Sequence, residues 1–161
     1  MIGEASKAVQ MITAGMALYR ATRATVHLPF FLSYLSVAHG QLGQFDEASR
    51  CIVEAMTAVE ASKERWFEAE VNRTAGELAL KSPELSVAKA EAYFERALAV
   101  ARQQKAKSWE LRATMSMARL WRDQGKRQQA HDLLAPVYGW FTEGFNTLDL
   151  KEAKALLEEL A

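Results

Sequence analysis

The chain is poor in the residues that mark several large classes of protein. It holds one cysteine and three prolines in 161 residues, and no stretch approaches the roughly 20 consecutive apolar residues that a membrane-spanning helix needs. One cysteine cannot close an internal disulfide. Cys51 lies among Ile52, Val53 and Ala55, a setting that fits a small buried hydrophobe better than a nucleophile, and a reducing cytoplasm is the expected compartment. Residues Met1 to Gln10 carry Glu4 and Lys7 and no apolar run of signal-peptide length. Net charge is also missing: 20 Lys and Arg balance 20 Asp and Glu, so no overall field draws the molecule to nucleic acid or to an anionic membrane.

The signatures of catalysis are missing as well. No phosphate-cradling G-x-x-x-x-G-K-S/T loop occurs, and Gly125-Lys126 reads as a turn. The three histidines, His27, His39 and His131, have no second ligand at a metal-binding spacing, and His39 is expected to pack between helices. There is no G-x-S-x-G elbow and no active-site cysteine signature. Neither an enzyme nor a bound cofactor or metal is expected.

Ala, Leu, Glu, Arg and Lys dominate what is present, β-branched residues are sparse, and half of all residues are apolar. That composition favours an all-α fold with a continuous core. The apolar positions recur in register: Ala8, Ile12, Gly15, Met16; Ala48, Ile52, Ala55, Met56; Ala90, Phe94, Ala97, Leu98; and Ala130, Leu134, Val137, Tyr138. The leading alanines stand 40, 42 and 40 residues apart, and offsets of four, seven and eight place each set on one helical face.

Further apolar-periodic segments lie between these helices, at about Pro29 to Leu42, Arg65 to Lys81 and Trp109 to Gln124. Gly43 and Gly125 read as C-terminal glycines, Ser82-Pro83 as an N-cap with proline in the first turn, and Thr147 as the N-cap of a last helix from about Leu148 to Leu160. Pro136 predicts a kink within Gln128 to Phe141. The aromatics Trp66, Trp109, Trp121, Trp140 and Phe141 fall in or beside apolar stripes and read mostly as core, with Trp66 and Trp109 near interhelical corners. About eight helices result: an unpaired helix (1–25), hairpins over 26–63, 64–105 and 106–144, and a C-terminal capping helix (145–161), all in one domain. The first helix has no partner before it, so Val9, Ile12, Met16 and Tyr19 predict an apolar stripe to be covered by upstream sequence or by self-association into a homodimer.

Leu35, Gly43, Phe45, Ala48, Ile52 and Ala55 resemble the tetratricopeptide motif, with a period longer than its usual 34 residues. Segments 64–70, 108–113, 133–145 and 149–153 (ERWFEAE, SWELRA, LLAPVYGWFTEGF and DLKEA) are similar to the C-terminal repeats of large bacterial signalling proteins, in which adenylate or guanylate cyclase and AAA-type ATPase domains come first. Nothing in this chain corresponds to those catalytic domains. The resemblance implies a right-handed superhelix of antiparallel hairpins whose first helices line a concave groove. On that expectation Arg112, Arg119 and Arg122, together with Arg73 and Glu77, face a ligand, and the arginine row forms a positive end that suits an acidic partner segment. The function expected is a protein or peptide interaction module of a bacterial, cytoplasmic signalling assembly. The alternative is a small-molecule effector sensor, which a closed apolar pocket would favour over an open polar groove.

Overall fold

The computed structural model describes residues 2–161. The described residues form eight α-helices and no strand: α1 (Ile2–Ala21), α2 (Leu28–Gln41), α3 (Phe45–Ser62), α4 (Glu68–Lys81), α5 (Val87–Gln103), α6 (Lys107–Asp123), α7 (Arg127–Tyr138) and α8 (Leu148–Leu160). Each helix packs on its neighbours in sequence, and the even-numbered helices also pack on one another in the order α2, α4, α6, α8. The odd-numbered helices do not pack backbone to backbone on one another, although Arg20 of α1 reaches Glu54 of α3 as an ion pair. The result is a row of four even-numbered helices with the odd helices laid against it.

The turns explain the connectivity. Gly43 and Gly125 adopt φ of +73° and +78°, and the following residues close the helix ends with Gln44 N–H to His39 C=O at 3.0 Å and Lys126 N–H to Trp121 C=O at 2.8 Å. A left-handed residue is cheapest as glycine. The turns leading from odd to even helices use the same backbone region but place Arg23, Lys63 and Lys105 there, with Gly144 before α8. The first three of these positions follow the spacing of the alanines, and Gly144 comes one residue early. The proline signal was misplaced: Ser82 ends α4, and Ser86 caps α5 by accepting from Lys89 N–H. Thr147 occupies the N-cap of α8, although its side chain makes no capping hydrogen bond. α7 passes through Pro136 and stops at Tyr138, short of Phe141.

Ala48, Ala90 and Ala130 are fully buried, each where a neighbouring helix comes close. Ala8 is only half-buried, because α1 packs on α2 alone. In the middle of the array the approach is tightest at Gly76, where an added Cβ would lie 2.4 Å from the fully buried ring of Phe94. Cys51 sits in the cluster formed with Leu32 and Leu35, and burial pushes its thiol up to about 11, which makes it a poor nucleophile at neutral pH.

The aromatic expectation holds for three of the five rings, since Trp109, Trp121 and Phe141 pack against the buried clusters. The buried rings are Phe67 and Phe94, whereas Trp140 is 58% exposed and Trp66 38% exposed. A tryptophan on an apolar stripe is too large for seats that Ala and Gly keep close, so the rings settle at the ends of helices. Trp66 and Trp109 flank Phe67 at 5.0 and 5.3 Å between centroids, the corner positions anticipated for them. His39 does not pack between helices; its Nδ1 lies 2.7 Å from Gln44 Oε1 at the α2–α3 turn.

Candidate binding face

The four even helices share one polar face, connected by side chains that reach from helix to helix. On α4, Glu70 is 4% exposed and accepts two hydrogen bonds from Arg73, Nε at 2.9 Å and Nη2 at 2.7 Å. Arg112 of α6 closes on the same carboxylate at 3.0 Å. Arg73 continues to Glu77 at 3.5 Å and to Ser116 Oγ of α6 at 3.4 Å, while Ser116 donates to Glu77 at 2.7 Å. Burial disfavours the Arg73 charge, yet the hydrogen bonds and charge of Glu70 prevail and hold its pKa above the ordinary guanidinium value.

The α6–α8 end is a ladder of ion pairs. Arg119 donates to Glu152 at 2.8 Å and Arg122 to Glu159 at 2.6 Å, and Arg112 also faces Asp149 at 3.9 Å. The expected positive end is therefore corrected. All three arginines lie on the shared face, but acids of α4 and α8 neutralise each one, and no free cationic row remains for an acidic segment. Partners 33 and 37 residues away in sequence cancel the charge that spacing along α6 alone suggests.

A separate set of buried carboxylates lies at the helix starts, on the side turned toward α5. Glu68 and Glu110, 6% and 5% exposed, each open an even helix. Hydrogen bonds from Arg65 lead in holding the Glu68 carboxyl below the usual range, with Arg96 adding to them. At Glu110 burial pushes the other way, and donation from Lys107 and Arg102 overcomes it. Both carboxylates also lie in the first turn, where the helix dipole favours negative charge.

At the α2 end the character changes. The exposed large apolar side chains there are Tyr34, at 46%, and Val37, at 38%, and α2 carries no Asp, Glu, Lys or Arg. Between α2 and α4 lies a cleft of about 230 Å³ lined by Ser36, Val37, Gln41, Arg73, Glu77 and Lys81. The small residues Ser36 and Gly40 let the two helices approach, and Gly40 has Leu78 Cδ1 within 3.4 Å of where its Cβ would stand. Ser36 is fully buried and its Oγ has no hydrogen-bond partner. Of the residues selected from sequence, the cleft brings together Arg73 and Glu77, while Arg112, Arg119 and Arg122 lie outside it. Ser36 was missed because a serine within an apolar helix carries no signal of its own; only the neighbouring helix makes it a polar group at the wall of a cleft. No protein-family model matches the chain, and no curated protein matches it.

Proposed function

We propose that this chain is a non-catalytic, tetratricopeptide-like interaction module. Its even helices line a concave groove that receives a peptide or protein partner, in the setting of a bacterial cytoplasmic signalling assembly. The observation that carries this reading is the α2–α4 cleft. It is open on one side, and its walls mix Val37 with Arg73, Glu77 and Lys81. The volume of this cleft supports one kind of occupant over the other. At about 230 Å³ the cleft falls below the roughly 300 to 1,000 Å³ of sites that enclose a drug-sized ligand. One side chain of a bound segment fits it, which favours a partner chain over an effector molecule. The exposed Tyr34 beside the cleft extends it with apolar surface for the rest of such a segment.

Pull-down from native lysate with the parent chain, and with Val37→Glu and Lys81→Glu variants, tests this reading. Both substitutions are at exposed positions and should leave the helical signal unchanged. Specific partners are expected to be lost with each variant. If both variants recover the same partners as the parent, the cleft is not the binding site.

A further inference from the structure

The first helix repeats the pattern of the third, but the two differ in cover. Position by position, Met11 corresponds to Cys51, Gly15 to Ala55 and Leu18 to Ala58, each 40 residues on. In α3, Cys51 is 8% exposed and Ala55 fully buried, packed in a cluster with Leu32 and Leu35 of the preceding helix. In α1 the same positions face water: Met11 is 64% exposed and Leu18 is 75% exposed, and with Ile12, Gly15, Tyr19 and Phe31 they line an open apolar hollow of about 530 Å³. The expected stripe is thus displaced. Met16 is 3% exposed against α2, and the uncovered surface is the adjacent face through Met11 and Leu18.

We propose that a second copy of this chain covers that face, with α1 packed antiparallel on α1 of the partner about a two-fold axis at Ala14 and Gly15. Four observations select this occupant. The face is self-complementary: Met11 and Leu18 flank two small residues, so the antiparallel arrangement sets Met11 against the partner's Leu18 and small side chains against each other at the crossing. Gly15 has no atom within 4 Å of its added Cβ, which leaves room for close approach. Charge agrees as well, since Ala8 to Tyr19 is twelve residues without a charged side chain, and the antiparallel order brings Glu4 toward the partner's Arg23 where a parallel order would stack like on like. The other end of the array offers no alternative seat, because the outer side of α8 presents exposed Lys151, Lys154 and Glu158, with Lys154 and Glu158 paired at 3.8 Å. Head-to-tail stacking would bury those charges against an apolar surface, whereas a two-fold pairing buries only like apolar faces.

One helix from each copy makes a small interface, below about 1,200 Å², and so a dissociable dimer with a midpoint on the order of 10 to 100 µM. Sedimentation equilibrium of the full chain from about 1 to 300 µM should show a monomer giving way to a dimer. Leu18→Arg, at an exposed position, should raise the midpoint at least about tenfold with helicity intact. Orientation is read by cross-linking under mild oxidation. A mixture of Met11→Cys and Leu18→Cys chains should form the mixed disulfide, whereas neither variant alone should couple to itself, and the buried Cys51 should stay silent. A monomer at every concentration, with or without another protein captured on α1, overturns the proposal. So does a dimer indifferent to Leu18→Arg, or self-coupling of either single variant.

Discussion

The first helix and the fifth carry the same repeat in opposite surroundings. Ala8, Ile12 and Gly15 of α1 match Ala90, Phe94 and Ala97 of α5. In α5 all three are fully buried, held between α4 and α6. In α1, which has one neighbour, Ala8 and Ile12 are half-buried and Gly15 is exposed. The pattern of apolar residues therefore specifies which face a helix turns inward, while the number of neighbours sets how much that face is worth. A sequence repeat implies equal environments only where both neighbours exist.

The largest test of this contrast removes the matched side chains. Phe94→Ala should cost about 3 to 5 kcal/mol, because it deletes a ring from a closed site. Ile12→Ala should cost about 1 kcal/mol, since a half-exposed side chain forfeits only part of its transfer free energy. Urea unfolding, at a concentration dilute enough to keep the chain monomeric, measures both. Equal losses would show that α1 is as tightly held as α5.

The glycines sharpen the comparison. Gly76→Ala drives a methyl group to 2.4 Å from the Phe94 ring and should destabilise by about 1 to 3 kcal/mol despite the better helix propensity of alanine. Gly15→Ala meets nothing and should stabilise by up to about 1 kcal/mol in the monomer. Opposite signs in the same unfolding experiment are the expected outcome.

The smallest effect concerns pH. Glu68 and Glu110 have carboxyl pKa values held below the ordinary 4.5, so the folded state binds protons less readily than the unfolded chain. Their contribution is fully present above the unfolded value and is lost as pH falls through the folded one. Stability should therefore decline on acidification below about pH 5, and the decline should be shallower in Glu68→Gln and Glu110→Gln. α1 has no acid of this kind, so the melting of its amides by hydrogen exchange should change least over the same range.

Helix number and inward faces were legible because both rest on local periodicity, which the leading alanines express plainly. The Ser82-Pro83 signal misled because proline restricts the residues around it in a loop as readily as in a first turn, and the cap went to Ser86. The polar face was half legible. Spacing along α4 brought out Arg73 and Glu77, and spacing along α6 brought out a row of arginines. That Glu152 and Glu159 would answer the row depended on how α8 lies across α6, which no local pattern encodes. The exposure of Trp140 escaped for the same reason, since composition records a ring's hydrophobicity and not whether a neighbour has room for it.

Because every helix touches only those one or two places away in the chain, folding requires no long loop to be closed before contacts reward it. Low contact order of this kind places helical domains in the microsecond to millisecond range. It also lets the molecule come apart in stages. α1, with a single partner helix, is the segment that frays at the lowest free energy, and its departure leaves the α4–α6 contacts untouched. A pulling force applied at residue 2 should accordingly peel one helix before the remainder yields.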